Sequence, residues 1–190
     1  MKSLTENLLS SLAINEGAGH MSMRMGQGSS GVAYDLGNGY VQKTLRLDVG
    51  PSKSIRQLEK KVIDRWAKTK NLKAISPIRN WNGDTYETEK LECPCPEGKL
   101  ISKCIYNYLL CADPDEWDVN RVTKMKKEVP EADFVLQWLQ DFWDDVIAIV
   151  GEQNARRVCD DIRSVNIGKD KYGNIKCFDW FDPWCSNIKL

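Results

Sequence analysis

The sequence predicts an α+β fold with two lobes, in which a small antiparallel sheet with one helix is followed by a reduced helical part. Three observations carry this prediction. Short runs of β-branched and aromatic residues, separated by glycines, dominate residues 22–47. An amphipathic helical pattern follows at 54–66, and the strongest helical pattern in the chain occupies 132–150.

The composition limits the classes of partner. A chain of 190 residues is long enough for one core or for two small lobes that share a cleft. Lysine plus arginine and aspartate plus glutamate both number 27, so no bulk field attracts nucleic acid or an anionic membrane. No apolar run approaches the roughly 20 residues of a membrane span, and residues 1–18 lack the pattern of a signal peptide. We therefore expect a cytoplasmic protein with no nucleic-acid or membrane partner.

The seven cysteines form an odd set without paired spacing. This usage is typical of a reducing compartment, in which cysteines behave as small buried hydrophobes. Four of them, Cys93, Cys95, Cys104 and Cys111, are close enough in sequence to suggest a zinc cluster. They lack a C-x-x-C knuckle, and the only histidine, His20, is far away, so structural zinc is the less favoured alternative.

The elements follow in order along the chain. Apolar residues at helical spacing predict a helical extension at 1–20. Residues 21–92 form the predicted β-rich lobe: a three-stranded meander, the helix at 54–66, and two strands at 75–81 and 85–91. Residues 93–190 form the predicted helical lobe, with a turn-rich connector at 93–98, helices at 100–110 and 132–150, and a hairpin around the turn at 170–173.

A glycine motif lies between the first two predicted strands. Gly26, Gly28 and Gly31 fit G-x-G-x-x-G, with Ser29 and Ser30 between the last two glycines. Missing side chains let backbone N–H groups approach phosphate oxygens. The same pattern occurs in dinucleotide-binding folds, but there it opens a helix. A strand that continues after the glycines instead indicates a loop that covers the phosphates of a nucleotide.

Two charged residues lie where they would serve such a nucleotide. Lys43 is on the third strand, from which a compact ammonium reaches the phosphates of ATP. Glu59 lies on the following helix and is suitably placed to hold that lysine. The alternative is ordinary surface charge at both positions, because strand lysines and helix glutamates are most often solvated.

Three residues near the end of the sequence have the spacing that phosphoryl transfer requires. Asp161 and Asn166 are separated by four residues, and Asp179 follows Asn166 by 13 positions (179 − 166) at the end of a predicted hairpin. The reaction needs one carboxylate near the acceptor hydroxyl, and an amide and a second carboxylate that hold Mg²⁺. The alternative is that Asp161 and Asn166 cap a turn while Asp179 ends a strand.

Together these motifs resemble the protein kinase-like superfamily over residues 23–184, and within it a minimal, bacteriophage-type kinase with a truncated C-lobe. The resemblance implies the two-lobed protein kinase-like fold, with ATP and Mg²⁺ as cofactors. It also implies roles for individual residues in nucleotide binding: the glycines with Ser29 and Ser30 cover the phosphates, Ala33 and Val41 pack on adenine, and Lys43 pairs with Glu59. For the transfer step, it implies that Asp161 orients the acceptor and that Arg163 neutralises the transferred phosphate. Asn166 and Asp179 would bind the metal.

The sequence departs from the family pattern in three places. Cys159 and Asp160 stand where the family has His-Arg, and the arginine that receives an activation-loop phosphate is therefore missing. Asp179-Trp180-Phe181 replaces Asp-Phe-Gly, and the sequence has no A-P-E motif after Asp179. We expect the part that docks an extended peptide in the family to be absent.

The resemblance implies an ATP-dependent kinase of the serine/threonine type, which transfers the γ-phosphate to a hydroxyl group on a protein, a host protein if the chain is phage-encoded. Two alternatives stay open. One is a pseudokinase that acts as a nucleotide- or partner-binding module. The other is an adenylyl transferase, which would bind flipped ATP with the same residues. The sequence makes no prediction of oligomeric state.

Overall fold

A computed structural model describes residues 23–27, 31–45, 53–158, 162–182, 186, 188 and 190. Five antiparallel strands form the larger sheet, in the order β1-β2-β3-β5-β4. The strands are β1 Met23–Gln27, β2 Gly31–Asp35, β3 Tyr40–Leu45, β4 Ile78–Arg79 and β5 Thr85–Glu89. The predicted meander is confirmed, and the two strands predicted at 75–81 and 85–91 are present but shorter.

Strand β3 lies at the centre of the sheet. Its Lys43 is opposite Ala33 of β2 on one side and Tyr86 of β5 on the other. The β2–β3 turn contains Gly37 and Gly39, and the Asp35 carboxylate accepts the Gly37 N–H at 2.8 Å. The tight hairpin fixes the register that brings Lys43 to the middle of the sheet.

The first helix, α1, spans Lys53–Lys68. Its buried residues, Glu59, Val62, Ile63 and Trp66, recur at helical spacing and form one face. The Trp66 ring lies 5.6 Å from Tyr86 of β5 and 6.0 Å from Trp180, centroid to centroid. Helix α1 therefore packs between the sheet and the second half of the chain.

The second half is mainly helical. Its elements are α2 Pro96–Cys104, a π-helical turn Ile105–Leu109, a 3₁₀ turn Pro114–Glu116, α3 Val119–Glu128, α4 Ala132–Val150 and α5 Glu152–Ala155. The helix predicted at 100–110 begins earlier, because Cys95 caps it by accepting the Gly98 N–H and Pro96 suits a first helical position. Helix α3 was not predicted.

Helix α4 carries the main apolar stripe of this half. Val135, Trp138, Leu139, Phe142 and Val146 are all buried along it. Burial of each such side chain contributes about 1.5–3 kcal/mol. The stripe explains why the strongest helical pattern of the sequence forms the centre of the helical region.

A small hairpin joins the two halves. A 3₁₀ turn, Ser164–Asn166, leads into β6 Ile167–Lys169, which pairs with β7 Ile175–Cys177. The backbone of Cys177 forms an isolated β-bridge with Ile75, and that of Lys169 forms another with Glu92. A Cβ atom on Gly168 would lie 2.8 Å from the Glu92 carbonyl oxygen, so the second bridge requires glycine there.

The predicted α+β fold class is therefore confirmed: an antiparallel sheet with one helix precedes a mainly helical region. The domain limits at residues 20 and 92 stay predictions, and the extension at 1–20 lies outside the described residues. Nowhere in the described ranges is a helix both long and apolar enough to cross a membrane.

Cys93, Cys95, Cys104 and Cys111 all lie within the described residues. Over the part of the chain that the structure covers, no three His, Cys, Asp or Glu side chains are grouped so as to hold a metal ion. Cys95, Cys104 and Cys177 are buried, as expected of cysteines that behave as small hydrophobes.

Candidate active site

Lys43 and Asp179 meet at the junction of the two halves. The Lys43 Nζ atom donates to Asp179 Oδ1 at 2.8 Å, although the residues are 136 positions apart. The lysine side chain is 16% exposed and the aspartate side chain 39%. One partner comes from the central strand and the other follows β7, so the contact depends on correct assembly of both halves.

Acidic groups surround Lys43. A small cavity of about 20 Å³ is lined by Lys43, Glu59, Tyr86 and Asp179, among others. Burial opposes the charge on Lys43, but Tyr86, Asp179 and Glu59 outweigh it and raise the pKa of the lysine. The ammonium therefore stays protonated across the ordinary pH range.

Glu59 faces the same cavity without an ion pair to Lys43 in the described structure, where the sequence had suggested one. Its side chain is buried, and burial raises the pKa of its carboxyl group although the Lys43 charge lowers it. The nearer carboxylate of Asp179 takes the direct contact with the ammonium. Glu59 influences Lys43 through its charge.

Asn166 is bound to the segment that carries Asp179. Its side-chain amide donates to the backbone carbonyl oxygen of Asp179 at 2.9 Å. The backbone carbonyl of Asn166 accepts the Phe178 N–H at 3.1 Å. Carboxylate and amide oxygens are hard donors of the kind that Mg²⁺ prefers. The donor set that Asp179 and Asn166 offer therefore fits this ion. We call Lys43, Glu59 and Asp179, together with the neutral amide of Asn166, the charged cluster.

Trp180, the residue after Asp179, anchors this segment in the core. It is fully buried, and its ring makes edge contacts with Trp66 at 6.0 Å and Phe142 at 6.5 Å. These contacts attach the segment after β7 to α1 and α4 at once. The Trp180 side chain is thus a packing element that fixes the Asp179 backbone.

An apolar cavity of about 350 Å³ lies beside the charged cluster. Most of its walls are apolar, with Thr88, Glu89 and Lys90 along one side; the apolar residues are Met25, Ala33, Val41, Leu91, Cys93, Pro94, Val165 and Phe178. The predicted adenine contacts, Ala33 and Val41, are both among them. A cavity of this size and lining suits a flat aromatic ligand.

Leu91 of the cavity wall lies between two residues whose N–H groups are hydrogen-bonded. The N–H groups of Lys90 and Glu92 donate to Gly39 and Lys169 carbonyl oxygens at 2.9 and 2.8 Å. Leu91, between them, lines the cavity, and its N–H has no hydrogen-bond partner within the described residues. A ring nitrogen of a nucleobase is an acceptor that would satisfy such a donor.

The remaining predicted residues fall into two groups. Gly28, Ser29, Ser30 and Asp161 lie outside the described residues. Gly26 is opposite Ala33, and Gly31 is opposite Leu45, where an added Cβ would lie 2.5 Å from the Thr44 carbonyl oxygen. Arg163 is exposed, and its carbonyl accepts the Asn166 N–H at 2.8 Å.

The sequence does not mark several residues of the site as ligand contacts. Leu91, Cys93 and Phe178 line the apolar cavity, and Thr88 lies at its wall with its hydroxyl 2.8 Å from that of Ser76. No motif marks them. The one available signal was position, because Leu91 and Cys93 flank the predicted change from β-rich to helical sequence.

This chain shows limited similarity to known proteins. The sequence matches no protein-family model and no curated protein. Among solved structures, the streptomycin–ATP–APH(2″)-IIa ternary complex is similar, with a TM-score of 0.38 and 13% sequence identity. The match covers 96% of this chain and 75% of that chain. A TM-score below 0.5 carries no functional weight.

Proposed function

We propose that this chain is an ATP-dependent phosphotransferase with a protein kinase-like arrangement, which transfers the γ-phosphate to a serine or threonine hydroxyl on a protein. The single observation that carries the proposal is the Lys43–Asp179 contact at 2.8 Å beside the apolar cavity. A cation for phosphates and a carboxylate for a metal meet at the edge of a base-sized cavity. ATP requires that combination.

In this proposal each part of the site has one task. The apolar cavity receives adenine, on which Ala33 and Val41 pack, and the Leu91 N–H donates to the ring. The glycine loop covers the phosphates, and Lys43 binds their oxygens. Asp179 and Asn166 hold Mg²⁺, which neutralises charge on the β- and γ-phosphates when bound.

The chemical step is an in-line displacement. The acceptor hydroxyl oxygen forms a bond to the γ-phosphorus while the bond from that phosphorus to the β–γ bridging oxygen breaks, and ADP leaves. We propose that Asp161 accepts the hydroxyl proton and that Arg163 faces the transferred phosphate. Orientation of the acceptor by a carboxylate contributes about 10²–10⁴-fold to such a reaction.

Transfer of label from ATP tests the proposal. Wild-type protein is incubated with Mg²⁺, casein and ATP labelled at either the α or the γ position. We expect γ label on casein or on the chain itself, at serine or threonine. Transfer of α label would indicate an adenylyl transferase, and ATP binding without transfer of either label would indicate a pseudokinase. Absence of ATP binding would contradict the proposal altogether.

A further inference from the structure

Asp145 is a buried carboxylate on α4 that the proposed chemistry does not use. It is 4% exposed. Its two oxygens accept three consecutive backbone N–H groups, those of Lys73 at 3.0 Å, Ala74 at 2.7 Å and Ile75 at 2.8 Å. A single side chain thereby ties the loop at 73–75 to α4.

The three hydrogen bonds oppose a cost of burial. Burial raises the pKa of Asp145, and the N–H groups of Ile75, Lys73 and Ala74 lower it in part. These directed hydrogen bonds specify where the loop lies, because each of the three N–H groups has this carboxylate as its acceptor.

The same loop holds β7. The Ala74 carbonyl accepts the Cys177 N–H at 2.7 Å, and the Ser76 N–H donates to the Cys177 carbonyl at 2.8 Å. The Lys176 ammonium donates to the Leu72 carbonyl at 3.0 Å. Strand β7 ends at Cys177, two residues before Asp179, so the loop fixes the strand that delivers the Asp179 carboxylate.

Helix α4 also holds β7 directly. The indole N–H of Trp138 donates to the Ile175 carbonyl oxygen at 3.0 Å, and both groups are buried. The strand is thus attached to α4 at one end by Trp138 and at the other through the loop that Asp145 binds. Two turns of one helix determine the course of the backbone that leads to Asp179.

We propose that Asp145 is a positioning residue for Asp179: it holds the loop at 73–75 on α4 and thereby sets where β7 brings the Asp179 carboxylate beside Lys43 and Asn166. This inference rests on the proposed role of Asp179 as a metal ligand. Residues that orient a metal ligand from behind typically affect metal affinity by about 10–100-fold. A purely structural residue would change stability and leave the metal affinity of the folded protein unchanged.

The test compares two neighbouring carboxylates. Asp145→Asn keeps the shape of the side chain but directs an amide N–H₂ at backbone N–H groups. Asp144→Asn makes the same change one residue earlier on an exposed face of α4, where the carboxylate accepts a hydrogen bond from Gln140 Nε2 at 3.1 Å. Trp138→Phe loosens the other attachment of β7. Electron paramagnetic resonance measures binding of Mn²⁺ in the presence of ATP, and hydrogen exchange measures protection of residues 175–179.

We expect Asp145→Asn to weaken Mn²⁺ binding about 10-fold, with faster exchange at 175–179. Trp138→Phe should give a smaller change in the same direction, and Asp144→Asn should match wild type. Wild-type Mn²⁺ affinity in folded Asp145→Asn would overturn the proposal. If Asp145→Asn does not fold, Trp138→Phe decides, because wild-type affinity there would overturn it equally.

Failure of the proposed function gives a different pattern. If wild-type protein binds no Mn²⁺ with ATP, the assignment of Asp179 as a metal ligand is wrong. Hydrogen exchange still decides whether Asp145 controls β7 in that case. Unchanged protection of residues 175–179 in Asp145→Asn would refute the link between α4 and Asp179.

Discussion

The apolar cavity and the charged cluster share strand β3 but differ in how many side chains each depends on. Val41 and Lys43 are two positions apart on β3, so both project from one face of the sheet. Many side chains contribute to the apolar cavity, and each supplies a small apolar contact. The charged cluster depends on four residues, drawn from β3, α1, the 3₁₀ turn and the segment after β7. Substitutions should therefore be tolerated in the cavity, whereas loss of the Asp179 carboxylate in the cluster should be severe.

The largest effect is expected for Asp179→Asn. The change removes the carboxylate that pairs with Lys43 and that we assign to Mg²⁺, while it preserves side-chain shape. Loss of metal-assisted charge stabilisation should reduce γ-phosphate transfer by about 10³-fold or more. The assay is label transfer at saturating ATP. Asp64→Asn, which removes a half-exposed carboxylate paired with Lys68, is the control. Transfer by Asp179→Asn within a few-fold of wild type would disprove the metal assignment.

Asp161→Asn should have the next largest effect. Because Asp161 is assigned to the acceptor hydroxyl, its loss should lower turnover by about 10²-fold or more and leave ATP affinity unchanged. A thermal shift with Mg²⁺ and ATP, measured beside the transfer assay, separates these effects. Normal transfer would exclude the acceptor role, and an unfolded variant would make Asp161 a structural cap.

A labelling experiment examines the apolar cavity without catalysis. Cys93 lines the cavity, whereas Cys111 is a similarly half-buried thiol outside it. Burial raises the pKa of the Cys93 thiol, so alkylation is best followed at mildly alkaline pH. Bound ATP should slow alkylation of Cys93 roughly tenfold, the protection expected when about 90% of sites are occupied. Cys111 should react at an unchanged rate. Equal rates at Cys93 with and without ATP would place the nucleotide elsewhere.

The smallest effect concerns pH and Glu59. Burial raises the pKa of Glu59 above its unfolded value, so the native state binds more protons and stability falls as pH rises between the two values. Glu59→Gln removes this cost. The free energy of unfolding of Glu59→Gln, relative to that of wild type, should increase as pH rises from 4.5 to 7.5, as measured by urea denaturation. A variant that is less stable than wild type at pH 7.5 would show that ionised Glu59 is a net stabilising partner of Lys43.

The sequence predicted the cavity and the cluster unequally. Lys43, Asn166 and Asp179 are predicted from the sequence because residue type, spacing and element type coincide at each position. The cavity was only partly predicted, through Ala33 and Val41, since apolar residues carry no mark that separates a ligand wall from a core. The ion pair of Lys43 also required coordinates, because Glu59 and Asp179 are both carboxylates within reach of one ammonium.

Asp145 shows what a closer reading of periodicity could have found. It occupies the apolar stripe of α4, three residues after Phe142 and four before Ile149, where the pattern calls for a hydrophobic residue. A carboxylate in such a position predicts a buried charge with specific partners. Its partners could not be predicted, because backbone N–H groups of a loop leave no trace in the sequence.

Nucleotide affinity with and without Mg²⁺ tests the central claim most directly, because it asks whether the charged cluster and the apolar cavity bind one ligand. Titration calorimetry of wild type and Asp179→Asn gives the four dissociation constants. We predict that Mg²⁺ tightens ATP binding to wild type by about 10-fold or more and has little effect on Asp179→Asn. Equal ATP affinity of wild type in both conditions would contradict the account.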